Sequence, residues 1–426
     1  MPRPRPCLTL WGTLILLAAN AASAGAQVDS ARARPTVGAG GDGFTLRSAD
    51  GRWRLRVGGY FQADGRYYLA DGQGAGTNSL IIRRARPIVE GTVSKFFDFR
   101  IMPDFGLGQP TIYEAYFEAR LATALALRAG KFKPPVGLER LQSATDLRFV
   151  ERGFPTNLVP NRDVGFQASG ELTGGVFTYA AGVFNGVVDL GFGDVDASDA
   201  KEVAARVFTV PFAGRGKRAP VDLGVGLSGS IGNERGTLAA PATSALRTPG
   251  QLTAFRYRSN GAGPESVLAD GMRFRLEPQA YLYAGPLGVL TQYTVSRHTV
   301  RRDSRLAKIR HYGWQVAASF FLTGERPSFR GVTPKRPFDP STGGWGALEL
   351  AARIQATGVA DSAFPFFADP AVSVRRIRAW AIGLNWHFAR GVKLMVDYER
   401  ASFAGGASVG DRAPENFLAT RLQTAF

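Results

Sequence analysis

The sequence Arg52-Trp53-Arg54-Leu55-Arg56-Val57 alternates a basic side chain with an apolar one at every step. The later stretch Met272-Arg273-Phe274-Arg275-Leu276-Glu277 repeats the alternation. A period of two is typical of a β-strand whose two faces meet different surroundings, because successive side chains point to opposite faces. A water-soluble sandwich would spread charges of both signs over its surface, whereas these polar faces carry more basic than acidic residues. The pattern therefore predicts strands with one apolar face and one face that lines a polar lumen.

The amino-terminal sequence predicts export. A basic stretch precedes an apolar run from Leu8 to Ala19, and small residues follow it as far as Ala26. This is the layout of a secretory signal peptide, with cleavage expected after Ala24 or Ala26. Three segments are expected: a signal peptide (1–26), a flexible lead-in (27–50) and a transmembrane β-barrel (51–426).

The remaining chain contains no apolar run of the roughly 18 residues that a membrane-spanning helix needs. The full sequence has 426 residues, of which 45% are hydrophobic. An exported chain of this kind is either soluble or crosses a membrane as a closed barrel, because only closed barrels and helices satisfy every backbone group in lipid. Nothing in the pattern suggests a helical repeat. We predict an all-β fold, a transmembrane antiparallel barrel.

Alternation and turn residues together mark sixteen candidate strands, an even number that is typical of bacterial barrels. Short turns alternate with long connections along most of the chain, as expected for a barrel with turns at one rim and loops at the other. The predicted strands are 52–68, 80–94, 96–105, 111–121, 123–133, 163–172, 174–184, 202–211, 220–231, 270–284, 286–299, 308–323, 345–357, 375–388, 391–403 and 416–426.

Aromatic residues on the outward phases predict girdles at the two membrane interfaces. Trp53, Tyr113, Phe117 and Trp380 are examples. The alternative is that they form the core of a soluble sandwich. The last strand ends on Phe426, as in outer-membrane proteins that the barrel-assembly machinery recognises, so we expect contacts with that machinery and with outer-membrane lipid.

The formal net charge of +17 favours acidic partners. Export and the spread of arginine along strand faces argue against nucleic acid, which needs a basic patch or helix stripe. An enzyme is disfavoured because no Gly-x-Ser-x-Gly motif accompanies the three histidines, and no carboxylate spacing suggests a metal site. We expect neither catalysis nor a cofactor.

Arginine on inward faces suits a pore for phosphate, because a guanidinium meets oxyanions with two parallel N–H bonds. The alternative for each arginine is a pair with an acid across the wall, which would rigidify the barrel without contacting ions. The residues expected along the anion pathway are Lys131, Lys133, Arg84, Arg86, Arg100, Arg256, Arg258, Arg273, Arg275 and Arg353.

The connection from Lys131 to Asp163 is long and carries apolar residues such as Val136, Leu138 and Phe149. A loop with its own apolar packing should fold against something, and the available surface is the inner wall. We expect this third loop to fold inward and to narrow the channel. The basic residues expected at the constriction are Arg140, Arg148 and Arg152.

Several motifs resemble the phosphate-selective porin O and P family. They include Gly130-Lys131-Phe132-Lys133-Pro134-Pro135-Val136-Gly137, Arg83-Arg84-Ala85-Arg86, Phe184-Asn185-Gly186 and Gly383-Leu384-Asn385-Trp386. The resemblance covers most of the chain and implies an outer-membrane barrel of sixteen strands, a homotrimer, and an arginine-lined path for phosphate or polyphosphate.

One departure from the family matters for selectivity. The region that corresponds to the dense arginine ladder of phosphate-selective members holds only Arg247, Arg256 and Arg258. We therefore expect a channel that favours small anions generally. Two alternatives remain open: a general non-specific porin, and a plugged barrel with a structural or adhesive role.

Overall fold

The computed structural model describes residues 34–41, 43–69, 76–194, 199–213, 221–260, 263 and 265–426. The predicted signal peptide lies outside these residues. Apart from one four-residue helix, α1 (Leu138–Leu141), and short 3-10 turns, the regular structure is β. The strands in chain order are β1 (Thr36–Gly40), β2 (Gly43–Arg47), β3 (Arg54–Tyr68), β4 (Ser79–Val93), β5 (Phe97–Asp104), β6 (Thr111–Ala122), β7 (Leu125–Phe132), β8 (Asp163–Leu172), β9 (Phe177–Phe184), β10 (Glu202–Thr209), β11 (Asp222–Arg235), β12 (Leu246–Arg247), β13 (Thr253–Phe255), β14 (Leu268–Ala284), β15 (Leu287–Arg302), β16 (Arg305–Phe321), β17 (Ala347–Val359), β18 (Val374–Ala389), β19 (Val392–Gly405) and β20 (Glu415–Ala425).

Sixteen of these strands, β3–β11 and β14–β20, form one closed antiparallel barrel. Each pairs with the next barrel strand along the chain, and β20 closes the barrel on β3, with Phe417 opposite Tyr68 and Ala425 opposite Tyr60. Closure removes the unpaired edges that an open sheet would expose. The predicted fold class and strand number are confirmed.

The two faces of the sheet differ as the alternation predicted. In β17, Arg353 and Gln355 are 2% and 3% exposed, whereas Ile354 between them is 54% exposed. Buried polar side chains are hydrogen-bonded inside the barrel, and exposed apolar ones lie on the outer face. This is the reverse of a water-soluble protein and matches a wall between lipid and a polar interior. Among the described residues, no helix is both long and apolar enough to cross a membrane.

Two β-bulges change the direction of side chains on neighbouring parts of the wall. The pairing of β3 with β4 skips Arg83, and the pairing of β5 with β6 skips Tyr113. A bulge inserts one residue and reverses the alternation beyond it. Tyr113, predicted to face lipid, is therefore buried, and Ile112 is exposed instead. The prediction for Tyr113 was wrong because one extra residue is invisible to a strict period of two.

A hairpin, β1–β2, occupies part of the segment expected as a lead-in. Phe44 to Arg47 pair with Val57 to Arg54, which extends the sheet beyond the carboxy-terminal end of β20. Gly43 starts β2 with φ of +87°, and a Cβ there would lie 2.5 Å from the carbonyl oxygen of Val57. Glycine is required at this close approach.

Candidate functional site

Residues 133–162, which connect β7 to β8, hydrogen-bond to strands on the far side of the barrel. The backbone N–H of Phe154 donates to Gln355 Oε1 at 2.8 Å, and Gln355 lies on β17, eight strands round the sheet from β7. The N–H of Leu138 donates to Glu277 Oε1 on β14 at 2.7 Å, and Asn385 on β18 donates to the carbonyl of Arg148 at 2.9 Å. These wall residues belong to the buried polar face.

Apolar side chains fix this segment at both ends of its path. Leu138 is fully buried beside Phe208, Tyr281 and Tyr283, and Leu158 packs with residues between β11 and β14, such as Phe255. Each buried leucine stabilises the arrangement by about 1.5–3 kcal/mol. The apolar residues of the segment thus pack as its composition suggested.

Most of the predicted pathway residues on strand faces are paired with acids. Arg275 contacts Asp189 at 2.7 Å and Glu202 at 2.6 Å, and both acids are buried. The other pairs of this kind are Arg86–Asp104, Arg100–Glu90, Arg100–Glu114, Arg273–Glu234, Arg353–Glu399 and Lys131–Asp194. Burial of an arginine favours such pairing, because an unpaired buried charge is costly. For these residues the geometry fits the alternative in which each basic side chain pairs with an acid of the barrel.

Four predicted basic residues in or beside residues 133–162 differ, because they form no ion pair with the described part of the chain. Arg84 donates to Gln62 Oε1 at 2.6 Å, and Arg140 donates to Asn161 Oδ1 and to the carbonyl of Thr156. Arg152 and Lys133 donate to backbone carbonyls of the segment, including that of Gln142. Their charge is solvated by neutral oxygens and is not neutralised.

Burial and mutual repulsion act on these charges. Burial, together with the nearby charge of Arg152, lowers the pKa of the Arg140 guanidinium to about 9. Burial also lowers the pKa of the Lys133 ammonium well below its usual range, and Arg162 and Arg152 lower it further. An anion bound between such groups would relieve the repulsion.

Three of the four residues, Arg84, Arg140 and Arg152, line one cavity of about 400 Å³. Its described lining contains six arginines against two acids, Asp104 and Glu151. The sequence did not place Arg83, Tyr113 or Glu151 at the site, although all three line the cavity. The bulges turn Arg83 and Tyr113 toward the interior, and only a register shift that one sequence does not reveal could have identified them. Bulges are frequent next to functional sites.

An arginine–tyrosine stack contributes residues to this cavity and to a second one. The guanidinium of Arg86 lies 3.4 Å from the centroid of the Tyr113 ring, and that of Arg162 lies 4.0 Å from it. Arg86 Nη1 also donates to Tyr60 Oη at 2.6 Å. Tyr60 and Arg162 line the second cavity, which also contains Lys133. Residues of this stack therefore line both cavities.

The remaining predicted residues lie elsewhere. Arg258 pairs with Asp369 at 3.1 Å, and Arg256 lines the same small cavity among the connections beyond the strands. Arg148 lies 3.6 Å from Glu349 and over the ring of Tyr283, and it lines a different cavity. The structure does not bring these residues together with Arg84. Within the described residues, no group of three or more histidine, cysteine, aspartate or glutamate side chains could hold a metal ion.

Solved structures with the same fold are outer-membrane proteins. The outer membrane channel DcaP of Acinetobacter baumannii has a TM-score of 0.54 at 10% identity, covering 88% of this chain and 97% of its own. OmpT of Vibrio cholerae has a TM-score of 0.53 at 11% identity, covering 88% and 98%. The anion-selective porin from Comamonas acidovorans has a TM-score of 0.53 at 10% identity, covering 88% and 100%. A search of proteins with curated functions found no match.

The family comparison extends over nearly the whole barrel. The model of the family described as phosphate-selective porin O and P matches residues 55–426. That range runs from the first residues of β3 to the carboxy-terminus and includes every strand of the barrel. The chain is thus an outer-membrane channel protein, and it belongs to the phosphate-selective porin O and P family.

Proposed function

We propose that the channel favours small anions, phosphate or polyphosphate among them, and that residues 133–162 fold into the lumen as its constriction. One observation carries the proposal: Lys133, Arg140 and Arg152 of this segment and Arg84 of the wall lack acid partners among the described residues. Unneutralised cations lower the cost of moving an anion out of water, provided that each site releases it again.

Two comparisons support the same proposal. The matching family is described by phosphate selectivity, and a structural neighbour is titled an anion-selective porin. The acid-paired strand arginines contribute less, because their charge is largely compensated. The expected selectivity is therefore for anions over cations, and it depends on a few residues near the segment.

The test is ion selectivity in a planar lipid bilayer under a KCl gradient. We expect a reversal potential of the anion-selective sign, and we expect Arg84→Gln with Arg140→Gln to shift it toward zero. The control is Arg310→Gln, which removes an exposed arginine whose Nη2 donates to Tyr293 on the sheet. A cation-selective wild-type channel, or an equal shift in the control, would contradict the proposal. Phosphate added to a chloride solution should lower the single-channel current.

We also propose that the protein assembles as a homotrimer. Support comes from the structural neighbour OmpT of Vibrio cholerae, one form of which is titled a trimer and has a TM-score of 0.52. Chemical cross-linking in outer membranes should give a ladder that ends at three copies. A ladder that ends at one or two copies would contradict this.

The carboxy-terminus is proposed as the segment that the assembly machinery recognises. Phe426 exchanges backbone hydrogen bonds with Gly59 at 2.9 and 3.0 Å, and its side chain remains partly exposed. Removal of Phe426 should lower the amount of folded protein in the outer membrane, whereas refolding of the purified chain in detergent should change less. Equal losses in both settings would contradict a role in recognition.

A further inference from the structure

The cavity lined by Arg84, Arg140 and Arg152 has an apolar wall as well as a cationic one. Leu107, Phe154, Leu190 and Phe192 lie among the arginines of its lining. Its volume of about 400 Å³ falls within the range of small-molecule sites, which are roughly 300–1,000 Å³. Inorganic phosphate needs hydrogen-bond donors around all its oxygens and gains nothing from such a wall.

Arg84 and Arg140 of the cationic wall are buried, and an N–H group of one of them has no hydrogen-bond acceptor among the described residues. Arg140 is 5% exposed, and its Nε atom is buried without a hydrogen-bond partner. Arg84 is equally buried and has Gln62 as its partner. Buried donors without acceptors are costly, so a ligand oxygen that accepts from them is stabilised.

The apolar wall is unusual because two large side chains remain accessible. Leu107 is 57% exposed and Phe192 is 44% exposed. Leu107 occupies a turn with φ of +58°, a conformation that a branched side chain disfavours. The Phe192 ring lies 5.2 Å from that of Tyr113, so flat aromatic surface continues from the cavity to the arginine–tyrosine stack.

We propose that this cavity binds an organic anion whose carboxylate is attached to a flat apolar ring. The carboxylate would accept from Arg84 and Arg140, and the ring would lie against Leu107, Phe192 and Tyr113. Stacking of a flat ring on aromatic side chains adds to the burial of its surface. The inference rests on the proposed anion preference, because the same arginines attract the ligand.

Benzoate and acetate are the probes, since they share a carboxylate and differ in the ring. Each is added to a chloride solution, and the concentration that halves the single-channel current is measured. We expect benzoate to act at a concentration about tenfold lower than acetate, the ratio expected for burial of much of a phenyl ring. Comparing the two probes within one variant removes general effects on chloride conduction.

The variant Leu107→Asn with Phe192→Ala should bring the ratio of the two half-blocking concentrations close to one. Leu107→Asn alone should lower it, and it is expected to fold because asparagine tolerates positive φ. The matched control is Leu238→Asn, which replaces an exposed leucine that does not line the cavity and should keep the wild-type ratio.

Two outcomes overturn the inference. A wild-type ratio near one in a channel that still prefers anions would exclude a site for the ring while leaving the proposed function intact. A high ratio that survives both Leu107→Asn and the double variant would place the ring elsewhere. Cation preference of the wild-type channel would instead overturn the proposed function.

Discussion

The Oη atom of Tyr257 lies 2.6 Å from Nε2 of His298, and both side chains are buried. Arg273 Nη2 lies 3.3 Å from Nδ1 of the same imidazole. A guanidinium can only donate, so Nδ1 accepts and Nε2 carries the proton that Tyr257 accepts. The tyrosine hydroxyl in turn donates to His311 Nε2 at 2.8 Å. This chain of donors ties the connection between β13 and β14 to the wall strands β15 and β16.

Tyr257→Phe should destabilise the barrel, because it removes a buried donor and acceptor from between two imidazoles. We expect a loss of about 1–3 kcal/mol in the free energy of unfolding, measured by urea titration of protein refolded in lipid vesicles. Tyr293→Phe is the control, since within the described residues the Tyr293 hydroxyl accepts one hydrogen bond, from the exposed Arg310. This variant should cost below about 0.5 kcal/mol. Equal losses in the two variants would contradict a stabilising role for the hydrogen bonds of Tyr257.

The ion pair of Arg421 and Asp64 joins the first and last barrel strands. Its two contacts, Nε–Oδ1 and Nη2–Oδ2, are both 2.7 Å, and both side chains are fully buried. Arg421→Met alone should cost about 3–5 kcal/mol, because it leaves a buried carboxylate unpaired. Adding Asp64→Leu should recover much of that loss. Unfolding free energies of the two single variants and the double variant test this, and additive costs would contradict a coupled pair.

The sequence predicted the barrel well because every strand repeats the same alternation of polar and apolar side chains. The alternation of Arg353, Ile354 and Gln355 is enforced at every strand by lipid on one side and polar contacts on the other, so strand number and most boundaries follow from it. It predicted the cavity poorly because the cavity depends on places where the alternation is interrupted. Arg83 and Tyr113 face inward through single-residue bulges, which arise from tertiary pairing. The sequence also could not show which arginines have acid partners, because the pairing depends on the register between strands and, for Arg275, on acids as distant in sequence as Asp189 and Glu202.

Lys133 gives a prediction for pH. Its ammonium carries a charge below its lowered pKa and loses it above, so its contribution to anion preference should fade as pH rises. We expect the reversal potential to decline as pH rises, and to do so below the pH at which an ordinary lysine with a pKa near 10.4 would titrate. Lys133→Arg places a guanidinium there, which holds its proton to higher pH than an ammonium does, and should make the decline smaller. Identical profiles for the wild type and Lys133→Arg would exclude Lys133 as the titrating group.

Glu151 provides the opposite test, an expected gain in anion preference. Its Oε1 accepts from Arg83 Nε at 2.7 Å and from Arg66 Nη2 at 2.9 Å. Although burial opposes ionisation, Arg83 and Arg84 hold the pKa of this carboxyl well below its usual range, so it is charged at neutral pH. Glu151→Gln preserves the shape and releases the two guanidiniums from a negative partner.

We expect Glu151→Gln to raise the anion-to-cation permeability ratio by about two- to fivefold, which corresponds to about 0.4–1 kcal/mol in a water-filled lumen where charges are partly screened. The measurement is the reversal potential under a KCl gradient. Glu171→Gln, at an exposed position where β8 ends, removes the same charge far from the cavity and should change the ratio little. If the two variants shift the ratio equally, net charge alone sets selectivity. If only Glu151→Gln shifts it, the arginines around the cavity determine which ions pass.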